Sequence, residues 1–315
     1  MSRSEYRAVA PSGPGLGRCD GQTDQMAALI VLGSGTPIPD RERGGSALAV
    51  VGDHQWLLVD CGRAATQRAI DAGLDLRSVI AVAITHHHSD HLSDLATLAA
   101  ARWTAGATSP LTVVAPSGPA AQFARRCLDV FDDQSFFAQA SDASGRRPAI
   151  DVRSFEATAH MSRVLSLGGW GLSSVLVDHH PIEPAVGYLI EYGEVRVAIS
   201  GDTAVCEGMR EMARGVDVLV HEALLTSRVP PDLLEWNAGA RAVGELSART
   251  RPRTLVLTHL IPAPTSPEVH RAYVEEVRAG GFDGPTIVAH DLLRIPIDRG
   301  DPTESPPDDD RQRRS

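Results

Sequence analysis

The chain has 315 residues, 43% hydrophobic and 22% charged, the composition of an ordinary globular protein with enough length for a substantial core. Its formal net charge is -10 and all 30 basic residues are arginine, which argues against a general nucleic-acid binder. No apolar stretch reaches bilayer-spanning length and the N-terminus lacks the apolar core of a signal peptide, so a cytoplasmic location with no membrane partner is expected. The four cysteines, Cys19, Cys61, Cys127 and Cys206, form no CxxC pair, which argues against a disulfide framework or a cysteine-type zinc site and fits reduced thiols.

Residues 1–25 are rich in Gly, Ser and Pro and are expected to be a disordered N-terminal tail, with Met26 as a second candidate start. Strands are expected at Ala28–Leu32, Ala47–Val51, Trp56–Val59, Val79–Thr85, Leu111–Val114 and Ile150–Phe155. More follow at Val186–Glu191, Val195–Ser200, Val216–Val220, Thr254–Leu257 and Thr286–Val288. Helical periodicity falls at Ala64–Ala72, His91–Arg102, Pro119–Phe131, Glu207–Arg214, Ala240–Arg249 and Pro267–Arg278. Early hairpins followed by strand–helix alternation predict layered sheets covered by helices over 26–297. The proline-broken, charged stretch 298–315 is expected to be a disordered C-terminal tail.

The stretch AITHHHSDHLSDL (83–95) sets four histidines and two aspartates directly behind an apolar run. Burying such groups without partners is costly, and a bound cation offsets that cost. Within it, His86, His88, Asp90 and His91 fit H-x-H-x-D-H. Residues two apart on an extended chain point the same way, so His86 and His88 can grip one ion while Asp90 and His91, on the turn into the next helix, serve a second. His87 falls between them as a bystander. Later apolar runs end in the same fashion, with His179 and His180, then Asp202, then His259. Imidazole with carboxylate suits zinc, with manganese or iron as alternatives. There is no G-x-S-x-G and no Cys–His motif, so a side-chain nucleophile is not expected.

The ordered segments LGSGTPIPDRERGGSALAV, LLVDCG, THHHSDH, VDHHPIEPAVGY, ISGDT, LVHEAL and LTHLIP resemble the metallo-β-lactamase fold, specifically its ribonuclease Z-like branch, from about Met26 to Ile297. The resemblance implies an α/β (α+β) class and a four-layer αββα sandwich with two divalent ions between the sheet edges. It implies that His86, His88 and His179 hold the first ion and Asp90, His91 and His259 the second, with Asp202 bridging. His179 is preferred because the family histidine follows V-x, and His180 stays as the alternative. Asp60 in LLVDCG would hold the ligand loop from behind. Asp90 and Glu222 would be catalytic, with His221 beside Glu222; the alternative for Glu222 is a helix-start carboxylate.

The implied activity is a hydrolase in which a metal-bridging hydroxide cleaves a phosphodiester or a similar compact ester such as a sulfate ester or lactone. Two departures from the branch bear on substrate. Ribonuclease Z proteins protonate the leaving group with a histidine of a His-Ser-Thr loop, and here the family spacing lands on Asn237. Many also grip transfer RNA with a long arm between the third histidine and the bridging aspartate, and here only 23 positions separate His179 from Asp202. These features favour a small-molecule ester over tRNA, with tRNA 3′ processing and a non-catalytic metal-sensing relative as the alternatives. A homodimer would follow many relatives. Arg41, Arg43 and Trp103 are given no role, and His54, His160, His270 and His290 are read as structural.

Overall fold

The computed structural model describes residues 27–129 and 147–297. Both expected tails, Cys19, Met26 and the last part of the helix expected over Pro119–Phe131 lie outside the described residues.

Two seven-stranded sheets face each other. The first has the order β14-β1-β2-β3-β4-β5-β6 and the second β13-β12-β11-β10-β9-β8-β7. In the first, β1 (Ala27–Gly33), β2 (Ala47–Gly52) and β3 (Gln55–Val59) form an antiparallel meander. Strands β4 (Val79–Ala83), β5 (Leu111–Pro116) and β6 (Ile150–Phe155) then run parallel to β3. In the second, β7 (Ser162–Leu167), β8 (Trp170–Leu176), β9 (Val186–Tyr192) and β10 (Val195–Ile199) are antiparallel. Strands β11 (Val218–Leu224), β12 (Thr254–Ile261) and β13 (Thr286–Val288) continue it in parallel. The last strand, β14 (Leu293–Ile297), returns to the first sheet beside β1.

The period-two geometry of a strand explains the layers. Along β1, Leu29 and Val31 enter the core between the sheets, where they meet Leu57, Val59, Tyr188 and Val197. Ile30 and Leu32 point the other way, toward α1 (Ala65–Asp71), α3 (Leu95–Thr104) and α4 (Pro119–Arg126). On the far side α5 (Glu207–Met212), α6 (Ala240–Thr250) and α7 (Pro267–Ala279) cover the second sheet through Met209, Leu246 and Tyr273. Three apolar cores separate four layers, which is the expected αββα sandwich. Among the described residues no helix is long and apolar enough to cross a membrane.

Several elements depart from expectation. The helix expected over His91–Arg102 divides into α2 (Ser89–Leu92) and α3, which places Asp90 and His91 in a single turn of their own. Strand β11 runs on to Leu224, so Glu222 lies inside a buried strand and is no helix-start carboxylate. Strands β7 and β8 have no counterpart in the sequence reading: β7 is largely exposed and its SRVLSL has few residues to bury, while in the buried β8 a glycine and two serines break up the apolar run of WGLSSVL. Strand β14 was hidden by Pro296, which an edge strand tolerates because one backbone N–H is free of the ladder.

The sheets are tied together directly behind the histidine run. The hydroxyl of Tyr188 on β9 donates across the sandwich to the carbonyl of Ile84 at 2.8 Å, with both residues buried. Tyr188→Phe should lower stability by about 1–3 kcal/mol in urea unfolding, since it leaves a buried carbonyl unpaired, and should leave metal content unchanged.

Candidate metal centre

The parallel strands of the two sheets deliver their C-terminal ends to one edge of the sandwich. Asp60 follows β3, His86 and His88 follow β4, Asp202 follows β10, and His259 lies near the end of β12. Local backbone devices aim these groups. Asp60 and His259 adopt left-handed backbone with φ of 60° and 49°. At His259 the register with β11 slips, so β12 carries a bulge that turns this side chain toward the edge. Gly201, at φ 63°, leads into Asp202 and has no room for a side chain, since a Cβ would lie 2.9 Å from that of Thr85.

All seven expected ligand residues converge. One side-chain nitrogen or carboxylate oxygen from each of His86, His88, His179 and Asp202 lies within 4.8 Å of the others, and the same holds for Asp90, His91 and His259. His86 Nε2 is 3.0 Å from His88 Nδ1, and His179 Nε2 is 3.4 Å from the same atom. His259 Nε2 and His91 Nε2 lie 3.2 and 3.5 Å from Asp90 Oδ2. Asp202 Oδ2 sits in the middle, 3.4 Å from His91 Nε2, 3.5 Å from His259 Nε2, 3.8 Å from His86 Nε2 and 3.9 Å from His179 Nε2. His180 faces solvent, 3.9 Å from Glu183, and takes no part. Of the two adjacent histidines, His179, the one preferred from the sequence, lies in the cluster and His180 does not.

The outward nitrogens are fixed by acceptors. His91 Nδ1–H donates to Asp60 Oδ2 at 2.7 Å, and His179 Nδ1–H donates to the carbonyl of Trp236 at 3.1 Å. The Thr85 hydroxyl donates to Asp60 at 2.9 Å, which leaves its oxygen to accept from His86 Nδ1 at 3.0 Å. Each of these bonds puts the ring proton on Nδ1 and turns an Nε2 lone pair into the cluster, the arrangement that a metal-ligating histidine needs. Asp60 is buried, and it gathers the Thr85 amide and hydroxyl, His91 and, at 3.5 Å, the Ser46 hydroxyl. Trp236 was not singled out in the sequence, because a backbone acceptor leaves no signature there.

Behind His259 lies Glu222, fully buried. One carboxylate oxygen accepts from the Thr203 amide and the other is 4.0 Å from His259 Nδ1. Burial and then the Asp202 charge push the Glu222 carboxyl well above its usual range. Its neighbour His221 donates from Nδ1 to the Glu222 carbonyl at 2.8 Å and is pushed down to about 4 by burial. Asn237 donates its side-chain amide to the Leu233 carbonyl at 2.9 Å.

The cluster fits cations. Asp90 Oδ1 and His91 Nε2 are buried without a hydrogen-bond partner, although both belong to strongly polar groups. Burial disfavours ionised Asp202, yet His259, His91 and His86 hold its carboxyl well below the usual range. The donor set of imidazoles and carboxylates suits a first-row divalent ion. Two facing mixed sheets in four layers, with a histidine–aspartate cluster at their shared edge that could hold divalent ions, are the build of a metal-dependent hydrolase.

Residues 55–260 match the model of a beta-lactamase superfamily domain. A protein named ribonuclease Z from Mycolicibacterium paratuberculosis is 31% identical over 284 residues, covering 87% of this chain and 99% of that one. Among solved structures, the short form of human tRNase Z superposes with a TM-score of 0.66 at 18% identity, over 86% of this chain and 99% of that one. The metallo-beta-lactamase fold protein YhfI from Bacillus subtilis does so equally, at 0.66 and 17% identity over the same shares. The chain therefore belongs to the metallo-β-lactamase superfamily, in its ribonuclease Z-like branch.

Asp60→Ala should cost about 10- to 100-fold in metal affinity, read by titration calorimetry on the apoprotein, because His91 loses the group that fixes its ring.

Proposed function

We propose that the protein is a binuclear metal-dependent phosphodiesterase whose ions, zinc by preference, are held by His86, His88 and His179 on one side and Asp90, His91 and His259 on the other. The observation that carries this reading is Asp202, a single carboxylate oxygen within 3.9 Å of imidazole nitrogens from both groups. When bound, two divalent ions lower the pKa of water and neutralise charge on the phosphodiester. The remaining work falls to the chain. Asp60, Thr85 and the Trp236 carbonyl hold three imidazoles in one tautomer and orientation. Asp90 Oδ1, buried and unpaired, is the acceptor available for a proton from the attacking water. Glu222 has no exposed surface and stands behind His259, 4.0 Å from its Nδ1 with neither atom hydrogen-bonded, so its place is beneath the site and not against the leaving group. The catalytic unit is taken as 26–297.

Leaving-group protonation is where this chain differs from the ribonuclease Z pattern. An asparagine amide does not ionise, and Asn237 is occupied with a backbone carbonyl. Substrates with good leaving groups are therefore preferred over RNA, whose departing ribose oxygen needs a proton.

The second reading is tRNA 3′ processing, and the 31%-identical ribonuclease Z favours it. As expected, the β9–β10 hairpin fills the stretch from His179 to Asp202. That shortness, however, does not argue against RNA. The alignment with the ribonuclease Z covers 99% of that protein in 284 residues, which leaves no room there for a long arm missing from this chain. The case for a small substrate then rests on Asn237.

Asp202→Ala should abolish turnover of bis(p-nitrophenyl) phosphate and lower bound metal from about two ions per chain to one or fewer, with an unchanged circular-dichroism spectrum. Unaltered activity in that variant would refute the proposal. Asn237→His should speed cleavage of an oligoribonucleotide by about 100-fold, the scale of one added general acid, and change p-nitrophenyl ester turnover by less than about threefold. Wild-type trimming of a tRNA precursor as fast as its turnover of the activated ester would instead establish the second reading.

A further inference from the structure

We propose that Asp291 is a positioning residue, the clamp that fixes the loop between β1 and β2 (34–46) against the metal-ligand turn and so sets how a phosphodiester is held. This rests on the phosphodiesterase reading above. Strand β1 pairs with both β2 and β14 in antiparallel fashion, and Val31 faces Leu293. The loop 34–46 and the turn 289–292 therefore emerge side by side at the edge that carries the metal centre.

Asp291, with 5% of its side chain exposed, collects donors from three segments. Its Oδ1 accepts from the Ser34 amide at 2.9 Å and the Ser34 hydroxyl at 2.8 Å. Its Oδ2 accepts from the Gly44 amide at 2.8 Å and from Arg68 Nε on α1 at 3.1 Å. One carboxylate thus holds both ends of the loop. Arg43 reinforces the closure by donating to Ser34 Oγ at 2.8 Å and to the Ala289 carbonyl at 3.1 Å.

From Gly44 the fixed backbone passes to the ligands without slack. The Gly45 amide donates to the Arg63 carbonyl and the Gly62 amide to the Ser46 carbonyl, at 2.9 and 3.0 Å. A Cβ on Gly45 or Gly62 would lie 2.6 or 1.9 Å from the carbonyl oxygen of Asp90, so both stretches are in contact with the backbone of a proposed ligand. Beyond this base, Pro37–Pro39, Arg41 and Glu42 are exposed, and Ile38 is 62% exposed. A rigid base carrying an exposed tip at the mouth of the site is an arrangement for contacting the groups that flank a phosphate.

Asp291→Asn keeps the volume but replaces one acceptor oxygen with an NH2 group that faces other donors. In the metal-loaded variant, trypsin should cut after Arg41 or Arg43 about tenfold faster, mapped by mass spectrometry well below the melting temperature. The KM for bis(p-nitrophenyl) phosphate should rise about fivefold with kcat within about twofold, and metal content should stay at the wild-type value. Arg68→Gln removes the α1 contact to Asp291 and a 3.4 Å bond to the Glu42 carbonyl but leaves the Ser34 and Gly44 donors on Asp291, so it should raise loop cleavage by less than about threefold and keep KM within about twofold. The proposal is overturned if Asp291→Asn leaves loop cleavage and KM unchanged, if kcat and metal content fall while KM holds, or if Arg68→Gln reproduces the full effect. Should the wild type not turn over the phosphodiester at all, the phosphodiesterase reading fails, and the trypsin rates still decide whether Asp291 clamps the loop.

Discussion

The structure turns on a crowding problem. Four imidazole nitrogens from His86, His91, His179 and His259 surround one oxygen of Asp202, and every one of these side chains is buried. Charges and lone pairs at such spacing, shielded from water, are costly unless something positive sits among them. Protons on the histidines would compensate in part, but the rings are oriented for another purpose. Asp60, Thr85 and the Trp236 carbonyl take up Nδ1 protons and leave the Nε2 lone pairs facing inward. That is preparation for cations.

The rest of the fold can be understood as support for this arrangement. The four layers bring the C-terminal ends of β3, β4, β10 and β12 to one edge, although these strands belong to two sheets. Tyr188 ties the second sheet to the backbone two residues before His86. Left-handed backbone at Asp60 and His259 and the bulge in β12 are local costs at which the chain departs from regular strand geometry. They aim one supporting carboxylate and one ligand ring. The neighbouring loop is gathered onto Asp291, so the mouth of the site shares the rigidity of its floor.

Much of this was legible in the sequence, for identifiable reasons. Buried strands such as AALIVLG announce themselves through continuous apolar runs, and polar residues behind such runs stand out because they are expensive there. Hence all seven clustered residues were named, and of the adjacent pair His179 lies in the cluster while His180 faces away from it. What escaped detection carries no such contrast. Strand β7 is exposed, β14 is broken by a proline, and the Trp236 carbonyl belongs to the backbone. The Asp291 clamp joins residues 257 and 247 positions apart, a pairing that only the tertiary fold creates. Glu222 was identified but its setting was not, since LVHEAL reads equally as a strand end or a helix start, and only burial on both faces decides for the strand.

The account stands on two cations flanking Asp202. Anomalous diffraction from zinc-loaded crystals, collected at the metal edge, tests this directly. It should show two peaks roughly 3.5–4 Å apart on either side of that carboxylate. One peak alone, or peaks away from Asp202, would contradict it.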